Sequence, residues 1–536
     1  MLNSNRAVPP GLTFPAGPVL LLIVLAAVAL AARPVTPIDE TRYVSVAWDM
    51  WQRGDYLVLF KNGAPYSHKP PLLFWLINLG WAVTGVNEWW PRLVSPLFSF
   101  GCLLLTVSLG RRLWPGDDGS HRNSVWILAS SLLWMLFSTS VMFDVMLAFF
   151  ALLGMRGLLI AADGARTRGF AWLAVAIGCG VLAKGPVVLL HLLPVAALAP
   201  WWRPGLPWKH WAGGVLLAVL GGAAIALAWA IPASLQGGEE YRRMIFWGQT
   251  ADRMVDSFAH KRPFWWYLPL LPALLYPWLV WPAFWRRLAA LQREGLDGGL
   301  RFCLAWMLPA FVSFSFISGK QVHYLIPLFP AFALFAGHLM ARSKDGATWL
   351  PALLAGAVAA AMLYFCLAAK PKDLATWQNF PAWPGLALAL AAVLSGWIGR
   401  RPGRRLHALA LLSATAIAMV QFYVAGNAWL RYDVRPIAGE IRKLQDRGVA
   451  VANHGDYHAQ YQFPGRLARP LDQVHTPADV QAWFDRHPEG VLVGYLSPKS
   501  SDLSGEALFS QPYRGEFAML LNADQARAQG LLGPAK

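Results

Sequence analysis

The sequence predicts a mostly α-helical fold, a polytopic transmembrane bundle that carries a small soluble α/β domain at its carboxyl end. Three observations support this prediction. Apolar residue types make up 56% of the 536 residues, whereas charged types make up only 14%. Apolar runs of roughly 20 residues, the length that crosses a bilayer as a helix, recur along most of the chain. After Tyr432 they give way to shorter runs with a different period.

The distribution of charge indicates how the bundle is oriented. The formal net charge is +17, and most Lys and Arg residues lie in short connectors between apolar runs, as the positive-inside rule expects of cytoplasmic loops. This placement argues against nucleic acid as a partner. The four cysteines all lie inside apolar runs, so they indicate buried small side chains rather than a disulfide or metal framework.

Hydropathy and charge together predict thirteen spans, with a cytoplasmic amino terminus and an outward carboxyl terminus. The first span lacks a small-residue cleavage site, so we expect it to be retained. Residues 69–86 are also apolar, but the two prolines after Lys69 and the alternation of charged loops favour a helix that lies partly at the membrane surface. The predicted spans cover about residues 18–32, 89–110, 124–141, 145–161, 170–183, 187–200, 211–231, 264–285, 302–317, 324–340, 349–369, 386–398 and 407–425.

The same patterns divide the chain into two predicted domains. Residues 1–430 form a transmembrane catalytic domain with outward-facing loops at 33–88 and 234–263, and residues 431–536 form a periplasmic α/β domain. In the second domain, β-branched runs such as G-V-L-V-G-Y-L alternate with amphipathic helical stretches. That domain has no Gly-rich phosphate motif and no paired Cys or His at zinc spacing, so we assign it no chemistry.

Carboxylates at the outer membrane boundary are the candidate catalytic groups, because burying charge in lipid is costly and needs a reason. Asp39 follows the first span, and Asp144 has apolar residues on both sides. Each also has a structural alternative: Asp39 as the cap of a helix that begins at Thr41, and Asp144 as the partner of an Arg on a neighbouring helix. Glu40 and Tyr43, beside Asp39 in the sequence, are candidate substrate-binding residues.

Cations on the same face are candidates for binding a phosphate. The outward loop 239–263 carries an excess of Lys and Arg where the positive-inside rule predicts few. Charge-assisted hydrogen bonds from such side chains and from a tyrosine hydroxyl would hold a phosphodiester. Taken singly, each arginine of this loop also fits a contact with a lipid headgroup. The candidate phosphate-binding residues are Lys69, Arg253, Arg262, Lys320 and Tyr324.

Five motifs on this face resemble those of the aminoarabinose lipid A transferases, a family of GT-C membrane glycosyltransferases in the protein mannosyltransferase-like superfamily. Their order, spacing and placement match that family from the first loop to the tenth span. The motifs are D-E-T-R-Y at 39–43, K-P-P at 69–71, F-D-V-M at 143–146, K-R-P-F-W-W-Y-L-P at 261–269 and S-G-K-Q-V-H-Y-L-I-P at 318–327.

The resemblance implies a GT-C fold and an enzyme that takes a sugar from a polyprenyl-phosphate carrier, with undecaprenyl phosphate as the expected carrier. The implied acceptor is lipid A or another envelope glycan, at the outer face of the bacterial inner membrane. In such enzymes the first-loop acidic residue acts near the acceptor, which corresponds to Asp39, and a second carboxylate corresponds to Asp144. Lys69 and Tyr324 correspond to contacts with the carrier phosphate.

One departure from the family concerns a metal. Lipid A transferases commonly carry an acidic residue directly before the lysine of K-P-P, where it can join a loop histidine in holding a metal. This chain has His68 at that position. The resemblance therefore leaves a divalent metal open, and we assign no cofactor.

Two other functions stand as alternatives. Transfer to polypeptide, as in protein O-mannosyltransferases, would use the same donor chemistry. A transporter or flippase of lipid-linked sugars would also carry charges at membrane depth, but such proteins are often built from repeated halves with broken helices at the midplane. The polar residues of this chain gather at one face, and its sequence shows no duplication.

Overall fold

The structure is a computed structural model that describes residues 14–248, 261–343, 346–367, 380–425, 429–497 and 507–532. Within these ranges, eight helices are long and apolar enough to cross a membrane, and four shorter apolar helices accompany them. The predicted mostly helical, polytopic fold is therefore confirmed. The count of thirteen spans stays a prediction.

The helices of the apolar part follow one another along the chain. They are α1 (Ala16–Ala32), α2 (Asp39–Arg53), α3 (Leu72–Thr84), α4 (Trp89–Leu113), α5 (Asp118–Ser130), α6 (Leu132–Phe137), α7 (Asp144–Ala162), α8 (Arg166–Lys184), α9 (Val188–Ala197), α10 (Ala199–Trp202), α11 (Trp208–Gln236), α12 (Gly238–Arg243), α13 (Leu271–Leu274), α14 (Pro282–Glu294), α15 (Gly298–Phe316), α16 (Phe329–Ala341), α17 (Trp349–Leu367), α18 (Trp383–Ile398) and α19 (Arg405–Ala425). A π-helical turn lies at Met244–Gly248, and 3₁₀ turns lie at Leu268–Leu270, Val322–Leu328 and Trp429–Arg431.

The predicted eighth span, 264–285, is not one continuous helix. The chain there forms a 3₁₀ turn, the four-residue helix α13 and a run of turns before α14 begins. Proline lacks the amide hydrogen that a helix interior requires, and its ring clashes with the preceding turn. Hydropathy alone does not register this effect, so the prediction of a single helix is wrong here. The prolines of this segment are Pro263, Pro269, Pro272, Pro277 and Pro282.

The predicted third span, 124–141, is divided as well, although it contains no proline. Helix α5 ends before Ser131, whose hydroxyl donates to the Ile127 carbonyl at 2.7 Å. The amide of Leu132 then donates to the carbonyl of Tyr276 at 3.1 Å. The break between α5 and α6 is therefore hydrogen-bonded to the proline-rich segment. Backbone groups of the two irregular stretches are thus paired with each other inside the bundle.

Helix α7 lies inside the bundle, and nearly all of its residues are buried. Small residues let α8 approach it closely. A Cβ atom at Gly157 would lie only 2.7 Å from the carbonyl oxygen of Gly169, which is the kind of contact that glycine permits between membrane helices. This packing fixes the first residue of α7, Asp144, at the end of the bundle that carries α2.

A two-stranded hairpin lies between α2 and α3. Strand β1 (Phe60–Lys61) pairs antiparallel with strand β2 (Ala64–Pro65). Asn62 and Gly63 form the turn, with φ values of 53° and 80°. Both lie in the left-handed region that Asn-Gly turns adopt in tight hairpins.

Residues after 429 form a five-stranded sheet with helices on both faces. Its elements are α20 (Arg435–Asp446), β3 (Val451–His454), β4 (Asp472–Val474), α21 (Pro477–Arg486), β5 (Val491–Leu496), β6 (Phe509–Tyr513), β7 (Glu516–Leu521) and α22 (Ala523–Ala528). The strand order is β4-β3-β5-β7-β6, with β3 parallel to β4 and β5 and the other pairs antiparallel. Helix α20 packs on one face through Ile437, and α21 packs on the other through Trp483. The predicted small α/β fold is confirmed, whereas the domain boundaries stay predictions.

The docking loop, which we define as residues 455–471, joins β3 to β4 and contacts the hairpin. The side-chain amide of Asn62 donates to the Leu471 carbonyl at 2.8 Å. Its oxygen accepts from the Leu471 amide at 2.8 Å and from Gln462 at 2.5 Å. All three hydrogen bonds are buried, so the hairpin turn is a specific attachment point for the carboxyl-terminal sheet.

Phe463 anchors the docking loop on the apolar part of the chain. Its ring stacks on Trp81, with centroids 5.2 Å apart and planes 9° apart. The Arg466 guanidinium lies 3.6 Å from the centroid of the same ring. The Phe463 amide donates to the Ser45 hydroxyl of α2 at 3.0 Å. The loop is thus held to α2 by its backbone and to α3 by its buried ring.

We expect Phe463→Ala to lower the free energy of unfolding by about 3–5 kcal/mol, because removing a buried ring leaves a cavity. Denaturation of the detergent-solubilised protein, together with protease sensitivity of the docking loop, measures this effect. Phe365→Ala is the matched control, since Phe365 is 56% exposed on α17. Equal effects of the two substitutions would contradict an anchoring role for Phe463.

Candidate active site

Two carboxylates lie at the amino-terminal ends of helices on the same side of the bundle. Asp39 is the first residue of α2 and its side chain is 49% exposed. Asp144 is the first residue of α7 and its side chain is 1% exposed. Helix amino termini favour carboxylates electrostatically. Helix α2 begins at Asp39 itself rather than at Thr41. Asp39 therefore does not cap a helix that begins at Thr41, as the structural alternative expected.

Asp39 is held by side chains of its own helix. Arg42 donates a hydrogen bond to the carboxylate, and the Tyr43 hydroxyl lies 3.4 Å from the same oxygen. Residues three and four positions apart share a helix face, which explains this grouping. Burial raises the pKa of the Tyr43 phenol, so its hydroxyl stays protonated. Burial opposes the charge of Arg42, but Tyr66, Tyr43 and Asp39 favour it and raise the pKa of the guanidinium.

Glu40 points into the protein, where its carboxylate is 3% exposed. Arg33 donates to it at 2.8 Å, and Thr36 donates from its hydroxyl at 2.5 Å and from its amide at 3.0 Å. The Val141 amide donates at 2.7 Å. Burial raises the pKa of Glu40, but Arg33 and these hydrogen bonds outweigh burial and leave the pKa below its usual value. The predicted substrate contact stays a prediction, whereas this network supports a positioning role that ties α2 to the segment before Asp144.

Asp144 forms an ion pair with Lys184, the last residue of α8. The side chains are 1% and 10% exposed. The Lys184 ammonium also lies 4.9 Å from the centroid of the Tyr324 ring, a cation–π contact. Asp144 therefore forms an ion pair between helices, as its structural alternative expected, but the partner is a lysine rather than an arginine.

Lys69 and His323 connect the two carboxylates. The Lys69 ammonium lies 5.8 Å from the centroid of the Phe143 ring. His323 packs edge-on against Tyr324, with ring centroids 4.8 Å apart. It interacts electrostatically with four charged groups, which are Asp39, Lys69, Asp144 and Lys184. The structure thus gathers these groups around one histidine.

The other predicted phosphate-binding residues are placed differently. Arg253 lies outside the residues that the structure describes. The Arg262 side chain is exposed. Lys320 is 3% exposed, and its ammonium donates to the Arg262 carbonyl at 2.9 Å and to the Ile317 carbonyl at 2.6 Å. Burial lowers the pKa of Lys320. Its contact with a phosphate stays a prediction, whereas its observed bonds fasten the turn at 318–320 to residue 262.

Among the residues that the structure describes, the donor set around His68 does not fit a divalent metal. His68 is exposed, and its ring stacks on Tyr66 with centroids 5.3 Å apart. Among the described residues, no group of three His, Cys, Asp or Glu side chains is arranged to hold a metal ion. The loop histidine, His260, lies outside those residues.

Lys184 and His323 are site residues that the sequence patterns did not reveal. Lys184 stands in K-G-P, which resembles an ordinary tight connection between two spans. Its predicted location could have singled it out. Lys184 lies in a connector on the same face as Asp39, and such a connector should carry few lysines. His323 lies within the S-G-K-Q-V-H-Y motif and carried no signal of its own.

The arrangement can perform two tasks side by side. Lys69, Lys184 and the Tyr324 hydroxyl can bind and neutralise a phosphate through charge-assisted hydrogen bonds. Asp39, half exposed and oriented by Arg42, can orient or deprotonate a nucleophile. Transfer of a sugar from a phosphodiester requires both kinds of side chain, those that bind the phosphate and those that orient the nucleophile, close to each other.

We expect Asp144→Asn to destabilise the protein by about 3–5 kcal/mol, because it leaves the buried Lys184 ammonium without a counter-charge. The double variant Asp144→Asn/Lys184→Met should be less destabilised than the sum of the two single variants. Unfolding free energies of the four proteins in detergent measure this coupling. Additive single effects would contradict a structural ion pair.

The chain is similar to known proteins in sequence and in fold. Residues 68–232 match the family model of dolichyl-phosphate-mannose-protein mannosyltransferases. The undecaprenyl phosphate-alpha-4-amino-4-deoxy-L-arabinose arabinosyl transferase 1 of Pseudomonas fluorescens is 30% identical over 525 residues, which cover 92% of this chain and 87% of that protein. The corresponding transferase of Pseudomonas aeruginosa is 32% identical over 316 residues, 57% of this chain and 55% of that protein.

The fold comparison agrees with the sequence comparison. The crystal structure of ArnT from Cupriavidus metallidurans bound to undecaprenyl phosphate superposes with a TM-score of 0.72 at 19% identity, over 97% of this chain and 99% of that chain. The expected GT-C fold is therefore confirmed, and the chain is a membrane glycosyltransferase that depends on a polyprenyl-phosphate-linked sugar. It belongs to the family of undecaprenyl phosphate-alpha-4-amino-4-deoxy-L-arabinose arabinosyl transferases.

Proposed function

We propose that this chain transfers 4-amino-4-deoxy-L-arabinose from undecaprenyl phosphate to lipid A or another envelope glycan at the periplasmic face of the bacterial inner membrane. One observation carries the proposal: the Phe143 ring packs against Tyr43, which lies beside the half-exposed Asp39 carboxylate, and the Lys69 ammonium lies 5.8 Å from the centroid of the same Phe143 ring. The next residue, Asp144, forms the ion pair with Lys184. The names of the relatives supply the sugar and the carrier.

On the donor side, Lys69, Lys184 and Tyr324 hold the carrier phosphate. During transfer, the bond between sugar C1 and the phosphate oxygen breaks, and its electron pair stays on the phosphate. Negative charge therefore grows on the carrier, where fixed cations stabilise it without reorganising. Asp144 acts through Lys184, because the ion pair sets where that ammonium stands.

On the acceptor side, Asp39 orients the oxygen that forms the new bond to C1. An acceptor hydroxyl would give its proton to Asp39 as the bond forms. An acceptor phosphate already carries negative charge on its oxygen, so Asp39 would position that group without taking a proton. Arg42 and Tyr43 keep the Asp39 carboxylate in place in both cases.

The proposal includes an orientation for the chain. Residues 1–430 form the catalytic domain in the inner membrane, and residues 431–536 form a periplasmic α/β domain. The docking loop supports this arrangement, because it contacts α2 through Ser45 and Trp48 and α2 carries Asp39. The carboxyl-terminal domain and the active site therefore share one side of the membrane.

Alkaline phosphatase fused after Val434 should be active in cells, because this enzyme folds only outside the cytoplasm. A reporter that works only in the cytoplasm, fused at the same residue, should be silent. The same pair of reporters fused after Arg112 should give the opposite pattern, since Arg111 and Arg112 end α4 in a positively charged connector. An active cytoplasmic reporter after Val434 would overturn the outward active site.

We expect Asp39→Asn to reduce transfer by about 10²–10⁴-fold, the usual contribution of a positioned acid or base. Purified protein, undecaprenyl phosphate-linked aminoarabinose and lipid A are combined, and the modified lipid is measured by mass spectrometry. Binding of undecaprenyl phosphate by Asp39→Asn should stay at the parental level.

In contrast, Lys69→Ala should weaken carrier binding by about 10-fold or more, since it removes a bond between charged groups.

Three outcomes would contradict these assignments. If Asp39→Asn turned over substrate at the parental rate, Asp39 would have no part in the reaction, and the catalytic role would move to Asp144. Unchanged carrier binding by Lys69→Ala would remove the proposed phosphate site. Parental enzyme that modifies polypeptide but not lipid A would replace the proposed acceptor by the protein mannosyltransferase-like alternative.

A further inference from the structure

A cluster of two cations and a histidine lies where α2, the hairpin and the docking loop meet. Its members are Arg42 on α2, Lys61 on β1 and His458 on the docking loop. His458 comes from the carboxyl-terminal domain, to which the sequence assigned no chemistry. Asp39 lies beside the cluster, because Arg42 donates a hydrogen bond to it.

Arg42 keeps unused donor capacity. Its side chain is 21% exposed, and one terminal nitrogen is bonded to Asp39. Its Nε atom is buried and has no hydrogen-bond partner in the described part of the chain. A buried guanidinium N–H without a partner is costly, so this atom is suited to an acceptor that a ligand brings.

Lys61 stands close enough to Arg42 for repulsion between the two cations. Burial and Arg42 lower the pKa of the Lys61 ammonium, and only Asp456 opposes them. Lys61 precedes Asn62, whose three buried hydrogen bonds to the docking loop hold this part of the hairpin in place. Two like charges are therefore fixed near each other, an arrangement that an anion between them would relieve.

The docking loop brings His458 to these two cations. The loop is held on α2 and the hairpin by Phe463 and Asn62, and the His458 amide is bonded to Gln460 at 3.1 Å. His458 interacts electrostatically with four groups, which are Lys61, Arg42, Asp456 and Asp39. Burial, Lys61 and Arg42 lower the pKa of its imidazole, so the neutral ring offers an N–H donor at neutral pH.

We propose that Arg42, Lys61 and His458 form a binding subsite for an anionic group of the acceptor, and that the carboxyl-terminal domain thereby contributes a specificity-determining residue to the active site. This inference rests on the proposed function. The subsite is distinct from the donor phosphate site, because Lys69, Lys184 and Tyr324 gather around His323, whereas His458 comes from the soluble domain. Asp39 is common to the two groups, since its charge acts on both histidines.

Binding measurements on the full-length protein in detergent test the subsite. The probes are lipid A that carries its phosphates, the same lipid A after enzymatic dephosphorylation, and undecaprenyl phosphate. The parental protein should prefer the phosphorylated lipid A. Lys61→Met and His458→Leu should each weaken that binding by about 10-fold, because each removes one donor to a charged group. Binding of the other two probes should not change.

Matched variants control for loss of charge and for folding. Lys443→Met and His487→Leu remove the same residue types at positions of the carboxyl-terminal domain outside the cluster, and Lys443 is 63% exposed. Both should bind all probes at parental levels. Lys61→Arg should retain the preference for phosphorylated lipid A, since it keeps the positive charge. In transfer assays, Lys61→Met and His458→Leu should raise KM for the acceptor while kcat stays within about threefold.

Several outcomes overturn the subsite. One is a parental protein that binds the two forms of lipid A equally well. Another is an unchanged preference in Lys61→Met and His458→Leu, and a third is loss of kcat without a change in KM. Because these measurements include binding without transfer, they give an answer even if the parental protein does not transfer aminoarabinose. Failed transfer by the parental protein would instead reject the proposed function.

Discussion

The ion pair between Asp144 and Lys184 is the interaction on which the site depends. Both residues lie at ends of helices whose bodies are packed together, α7 against α8, and their side chains are almost fully enclosed. Water cannot solvate either charge there, so each charge requires the other. The pair therefore fixes the Lys184 ammonium relative to the Tyr324 ring and, with it, the geometry of the donor side.

Glu40 performs a comparable task between the donor and acceptor sides. It follows Asp39 in the sequence, and it accepts from the amide of Val141, three residues before Asp144. Arg33 donates both to Glu40 and to the Thr139 carbonyl at 2.7 Å, which reinforces the same link. Movement of α2 relative to α7 would leave the buried Glu40 carboxylate without its hydrogen-bond donors, which would cost free energy. Asp39 and Asp144 are therefore kept at a fixed separation.

The sequence motifs predicted which segments meet, because charge at a membrane boundary has few purely structural uses. They did not predict how each polar side chain is used. Glu40 and Lys320 have the chemistry of substrate-binding residues, yet each also bonds to a backbone group that is distant in the sequence, the amide of Val141 and the carbonyl of Arg262. Such tertiary partners leave no trace in local spacing. Hydropathy likewise counted 264–285 as one span, since it weighs apolar side chains and not the amides that prolines lack.

The contacts that hold the docking loop are made to its backbone. Asn62 bonds to the amide and carbonyl of Leu471, Ser45 accepts from the amide of Phe463, and Trp48 donates to the carbonyl of Leu467 at 3.0 Å. Backbone groups are present whatever the side chain, so these contacts leave most side chains of the loop replaceable, whereas the ring of Phe463 and the amide of Gln462 contribute to docking themselves. Loop side chains can therefore differ in chemistry while the loop keeps its position beside Asp39. A fixed loop with replaceable side chains is suited to selecting an acceptor, whereas the donor side has no comparable freedom, because its cations lie within the ion-paired helix ends.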